Sequence, residues 1–70
     1  MNSKPFLDEI TIEFEGKEYK GHYKVESKMV YATSAHGSKA TQLGGSPAEV
    51  IARMLLRNIL NDAKSQGTLQ

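Results

Sequence analysis

The chain has no cysteine and no tryptophan, and only two of its 70 residues are proline. Without cysteine, neither a disulfide nor a thiolate metal site can stabilise it, which fits a reducing compartment. Seventy residues allow one hydrophobic core. We therefore expect a single domain over residues 6–63, with disordered tails at residues 1–5 and 64–70.

Long apolar runs are also missing from the sequence. No segment approaches the roughly 20 apolar residues that a membrane-spanning helix needs. The N-terminus lacks the apolar stretch of a signal peptide. These features predict a soluble, cytoplasmic protein that does not associate with membranes.

Apolar and polar side chains alternate over residues 10–15, which predicts a strand with one buried face. Gly16-Lys17 is predicted to form a two-residue turn, because glycine supplies the positive φ of a type II′ first position. A second strand then covers residues 18–25. In this register Glu13 lies opposite Lys20 on the solvated face, so opposite charges stabilise the hairpin.

A third strand is predicted over residues 30–34, after a second turn. Val25 then pairs with Val30, which directs the even-numbered side chains of the third strand into the core and Tyr31 to the solvated face. Residues 39–43 are a candidate fourth strand. Gly44-Gly45 separates the strands from the helix that follows.

The segment Ser46-Pro47-Ala48-Glu49 predicts the start of the only long helix. Serine can cap free backbone amides, and glutamate three residues later can close a capping box. The 3.6-residue period then gathers apolar residues on one side, namely Ile51, Ala52, Leu55, Leu56, Ile59 and Ala63. Three flanking apolar residues are hard to bury against so small a sheet and are predicted to contact a second chain: Val50, Met54 and Leu60.

These elements predict an α+β fold: an antiparallel meander of three strands, with a fourth as a candidate, and one C-terminal helix packed on one sheet face. The strand alternation and the helical period together select a core. Its predicted members are Ile12, Phe14, Tyr23, Val30, Leu55 and Ile59.

No catalytic or metal-binding motif is recognisable, so neither enzyme activity nor a metal or cofactor is expected. His22 and His36 with a nearby glutamate match no spacing of metal ligands. Ser34 or Ser38 beside His36 lacks a third group to orient the histidine as a base.

Charge is unevenly distributed along the chain. Residues 1–15 hold four acidic residues and one lysine, whereas residues 16–43 hold five lysines and two glutamates. Basic groups around an exposed aromatic ring can bind phosphates and stack on bases. The solvated sheet face and its turns therefore form a candidate nucleic-acid surface, for DNA or RNA: Lys20, His22, Lys24, Lys28, Tyr31 and Lys39.

The order of three strands and then a helix resembles two nucleic-acid-binding architectures. These are the sheet domains at the N-termini of phage-type integrases and the latter part of a double-stranded-RNA-binding domain. Gly37-Ser38-Lys39, ahead of a helix containing Ala52, resembles the Gly-Ser-Lys-Lys motif of the second. The resemblance implies DNA or RNA as a partner. No first helix precedes the strands and no second lysine follows Lys39, and we assign no family.

The alternative is a protein-interaction or homodimerisation module. It would use the helix flank, formed by Val50, Met54 and Leu60, together with an edge strand. A core of marginal size also favours association with a partner or a second copy. Under either hypothesis the chain is a small, non-enzymatic binding module.

Overall fold

The fold is a four-stranded antiparallel sheet with one helix on one face. The computed structural model describes residues 8–68. Its elements are β1 (Asp8–Phe14), β2 (Lys17–Glu26), β3 (Met29–Ser34), β4 (Gly37–Gln42) and α1 (Ala48–Ser65). The strands form a meander in the order β1-β2-β3-β4. The predicted α+β class is confirmed, and the candidate fourth strand is present.

The predicted ends of the domain fall only partly within the described residues. The first tail, residues 1–5, the domain start at residue 6, and residues 69–70 of the second tail lie outside them. The helix includes Lys64 and Ser65, which the sequence assigned to that tail. Within the described part of the chain, no helix is long and apolar enough to cross a membrane.

The turn between β1 and β2 lies at Glu15-Gly16, one residue earlier than predicted. Both residues have positive φ, 55° and 81°, as a type I′ turn requires. Glycine therefore occupies the second turn position rather than the first. The predicted turn at Gly16-Lys17 was wrong because glycine fits either position.

This turn shifts the β1–β2 register by two residues. Glu13 lies opposite Glu18 instead of the predicted Lys20, so the expected attraction between opposite charges is not formed. A shift of two residues keeps every side chain on its face. The assignment of Ile10, Ile12 and Phe14 to the buried face is consequently unaffected.

The β2–β3 register was predicted correctly. Val25 pairs with Val30, and the two turn residues, Ser27 and Lys28, both have positive φ. Val30 and Ala32 are buried, as the alternation required. β4 then pairs with β3 from Ser34↔Gly37 to Met29↔Gln42, beginning two residues earlier than predicted.

The core lies between α1 and one sheet face, and the helix contacts all four strands. Five of the six predicted core residues are buried, and Tyr23 is partly buried against them. Every predicted inner residue of the helix is buried as well. Two ion pairs connect the C-terminal part of α1 to the sheet side of the domain: Lys64 with Glu15, and Lys39 with Asp62.

The helix begins differently from the predicted capping box. Pro47 is the N-cap residue, and no side chain bonds to the first amides. The Pro47 carbonyl accepts from the amides of Val50 and Ile51 at 3.1 and 3.2 Å. Glu49 instead accepts from Arg53 at 2.6 Å, one turn along the helix surface. The predicted cap by Ser46 was therefore wrong.

Candidate interaction surface

The sheet face opposite α1 is covered by no other element of the described residues, and we call it the open face. Alternation within each strand and the pairing across strands define its members. From β1 to β4 they are Glu9, Thr11, Glu13, Glu18, Lys20, His22, Lys24, Glu26, Met29, Tyr31, Thr33, Ser38, Ala40 and Gln42. A partner that binds this face of the sheet would contact these side chains.

Four of the predicted nucleic-acid residues do share the open face: Lys20, His22, Lys24 and Tyr31. The Lys24 ammonium lies 5.3 Å from the centre of the Tyr31 ring. It also lies 3.2 Å from a Glu26 carboxylate oxygen, and its side chain is only 13% exposed. Lys24 therefore packs across its neighbours, which leaves less of its charge accessible to a phosphate.

The open face carries more acid than base. Its charged residues are four glutamates, Glu9, Glu13, Glu18 and Glu26, and two lysines, Lys20 and Lys24. His22 lies 4.0 Å from a Glu9 carboxylate oxygen across the strand pair. A surface that binds nucleic acid by charge is expected to be basic. The charges of the open face oppose phosphate binding.

The two remaining lysines of the predicted set lie elsewhere. Lys28 occupies the β2–β3 turn, and its carbonyl accepts from the Leu43 amide at 2.8 Å. Lys39 pairs with the buried Ala32 and therefore faces α1, where its ammonium lies 2.8 Å from an Asp62 carboxylate oxygen. The register of β4 therefore separates Lys39 from the four residues on the open face.

The three residues of the predicted helix flank differ in exposure: two are exposed and the third is buried. Val50 and Met54 are 56% and 51% exposed, one helical turn apart. Leu60 is completely buried in the core. Its assignment to an exposed interaction surface was wrong, because the four-stranded sheet is wide enough to cover that side of the helix. The exposed apolar flank is therefore smaller than the sequence indicated.

The outer edge of β4 offers a different kind of surface. The Leu43 amide donates to the Lys28 carbonyl of the neighbouring turn, so odd-numbered residues of this segment direct their backbone groups toward β3. Even-numbered residues direct theirs away from the sheet. Within residues 8–68 no other strand pairs with this edge. Three consecutive outward positions carry a free amide and a free carbonyl each: Ser38, Ala40 and Gln42.

The two edges of the sheet differ in their protection. On β1 the outward positions are Glu9, Thr11 and Glu13, so carboxylates border its free backbone groups. Charged side chains of this kind discourage another strand from pairing. On β4 the three outward positions are uncharged, and the single lysine is engaged by Asp62. The β4 edge also has no proline and is the unguarded one.

The geometry of the described residues supports neither a metal site, nor a serine–histidine catalytic pair, nor a pocket for a small ligand. The described residues contain no group of three histidine, cysteine or acidic side chains able to hold a metal ion. The Ser34 hydroxyl accepts from the His36 backbone amide at 3.0 Å, as in a turn, and the His36 ring packs against Tyr19. A shallow cavity of about 170 Å³ borders Lys39 and Asp62, which is below the usual size of a ligand pocket.

Comparisons of the chain with protein-family models, curated proteins and solved structures gave no match. The fold and the surfaces described above are therefore the basis for the functional argument. The sequence alone did not select the β4 edge. The signal was nevertheless present in the uncharged residues at alternate positions 38, 40 and 42.

Proposed function

We propose that this protein is a protein-interaction module that binds an extended segment of a partner along the free edge of β4. The observation that supports this most strongly is the row of outward amides and carbonyls at Ser38, Ala40 and Gln42. A partner strand that pairs there gains main-chain hydrogen bonds, the usual source of affinity in strand addition.

The surroundings of this edge favour a protein partner over a nucleic acid. The half of the open face that borders β4 is uncharged: Met29, Tyr31, Thr33, Ser38, Ala40 and Gln42. Thr33 and Ser38 hydroxyls are already hydrogen-bonded to each other at 2.9 Å. An added strand would continue this surface and place alternate side chains beside Ala40. The acidic residues lie on the far half, around β1 and β2.

A short-peptide library displayed on phage and panned against the dilute, immobilised protein tests the proposal. Selected peptides should bind the parent and lose most of their affinity for Ala40→Pro, because proline removes an outward amide without removing a β3–β4 bond. Thr11→Pro is the matched control on the β1 edge and should bind like the parent. Peptides that bind Ala40→Pro as well as the parent would contradict the proposal.

Nucleic-acid binding is the second candidate function, and the exposed Lys20 together with Tyr31 on the open face is the observation that supports it. A titration with mixed DNA and RNA oligonucleotides at low salt separates the two. We expect no binding that depends on these residues. Salt-sensitive binding that is weakened by a combined Lys20→Ala and Lys28→Ala change, with no peptide bound at β4, would favour the nucleic-acid hypothesis.

A further inference from the structure

We infer that the best partner for the β4 edge is β4 of a second copy of this chain. This inference rests on the proposed function of the edge. The two strands would run antiparallel about a two-fold axis that passes between the Ala40 residues of the two copies. The two sheets would then form one eight-stranded sheet, with both helices on the same side.

The positions of the free backbone groups select this register. Opposite residues of an antiparallel pair share a sheet face, and the axis can lie at a residue whose backbone groups point outward or at one whose groups point inward. An axis at Lys39 would set two lysines opposite each other and leave Gln42 without a partner in β4, and an axis at Thr41 would pair Ser38 with Gly44, outside β4. With the axis at Ala40, the two alanines exchange both hydrogen bonds, and Ser38 of each copy pairs with Gln42 of the other. All outward groups of β4 are then satisfied. An axis at Ser38 or Gln42 would leave part of this row unpaired.

The side chains also fit this register. Lys39 would lie opposite Thr41 of the second copy and not opposite the second Lys39, so no like charges meet directly. Its ammonium is already neutralised by Asp62. At the axis the opposing side chains on the open face are both alanine, which allows close approach of the strands.

The equivalent register at the other edge, which pairs all three outward positions of β1 among themselves, is not self-complementary. Two copies of β1 joined about Thr11 would set Glu9 of one copy opposite Glu13 of the other, twice, on the open face. Like charges directly opposite one another destabilise strand pairs. Pairing of β1 with β4 of another copy would leave free edges at both ends and would therefore grow into filaments.

Sedimentation equilibrium of the full chain over a wide concentration range tests the inference. The parent should reach a dimer and no larger species. Ala40→Pro should weaken self-association by at least about tenfold, because it removes one donor from each copy at the axis. Thr11→Pro on the opposite edge should dimerise like the parent, and circular dichroism should show that both variants remain folded.

A second pair of variants covers the case in which Ala40→Pro disturbs β4 itself. Ala40→Lys keeps the amide and places two ammonium groups at the axis, so dimerisation should fall and recover partly at high salt. Thr11→Lys should have no such effect.

The remaining outcomes separate the two proposals. A parent that stays monomeric while library peptides still bind at β4 would overturn the self-pairing inference and leave the proposed function standing. A dimer abolished by Val50→Asp or Met54→Asp but not by the Ala40 variants would overturn the self-pairing inference, and the peptide experiment would still decide the proposed function. Growth beyond a dimer that Thr11→Pro blocks would replace the two-fold pairing with head-to-tail pairing.

Discussion

At the scale of single residues, Gly21 shows how closely the helix approaches the sheet. It is buried in the middle of β2, below Leu56 of α1. A Cβ atom added here would lie 2.9 Å from the Thr33 carbonyl oxygen and 3.3 Å from both terminal carbons of Leu56. The backbone contact is too short to relax by a side-chain rotation. Glycine at this position is a packing requirement.

We therefore expect Gly21→Ala to lower the free energy of unfolding by about 1–3 kcal/mol, the usual cost of overpacking a core. Gly44→Ala is the matched control, because a Cβ there would meet nothing within 4 Å. Urea denaturation of both variants measures the difference. Equal stability of the two variants would show that a Cβ atom at residue 21 is accommodated between the Thr33 carbonyl and Leu56, contrary to the packing described.

Tyr23 provides a second prediction at this scale, through pH. Burial raises the pKa of Tyr23 above its ordinary value of 10.0, and the carboxylates of Asp8 and Glu49 act in the same direction against a smaller effect of Arg53. The fold thus favours the neutral phenol. Its contribution to stability is complete below the unfolded pKa and is lost as the pH rises through the folded pKa.

Replacing Tyr23 with phenylalanine should accordingly reduce the loss of stability on the alkaline side. Denaturant unfolding of parent and Tyr23→Phe at matched pH values, from neutral to above the tyrosine pKa, measures this difference. The two proteins differ only in the hydroxyl of residue 23, so the comparison isolates the contribution of that group. Curves that stay parallel through the alkaline range would contradict the assignment.

At the scale of elements, the start of α1 shows that a sequence with the composition of a capping box need not form one. The segment from Ser46 to Glu49 has the composition of a capping box, but the helix begins one residue later than that motif requires. Glu49 bonds forward to Arg53, and Pro47 occupies the cap position with extended backbone geometry. Composition alone could not decide whether Ser46 or Pro47 is the N-cap residue of the helix.

The structure predicts that Ser46→Ala changes the free energy of unfolding by less than about 0.5 kcal/mol, as for an exposed site without special contacts. Leu56→Ala in the same helix should cost about 2–5 kcal/mol, because its side chain is fully buried. Thermal and urea unfolding compare the two. A loss of about 1 kcal/mol for Ser46→Ala would indicate that serine does cap the helix.

The periodicity of the elements was the most reliable information in the sequence. A period of two placed Ile12, Phe14 and Val30 in the core, and a period of 3.6 placed Leu55 and Ile59 there. Faces survive a register error of two residues, whereas cross-strand partners do not. This is why the core was predicted correctly while the partner of Glu13 was not.

At the scale of the whole molecule, the sequence could not show which surface is unpaired. The exposure of Leu60 depends on the width of the sheet, and the direction of Lys39 depends on the register of β4. The balance of acid and base on the open face depends on all four strands together. Only the assembled fold shows that acidic side chains lie along the β1 edge and that uncharged residues lie along the β4 edge.

Amide hydrogen exchange followed by NMR at increasing protein concentration tests the role of the β4 edge most directly. The outward amides of Ala40 and Thr11 should both exchange rapidly in dilute solution, and the inward amide of Thr41 should be protected throughout. As the concentration rises, we expect protection of Ala40 to increase while Thr11 stays rapid. An Ala40 amide that exchanges as fast as Thr11 at every concentration would contradict pairing of β4 with a second copy.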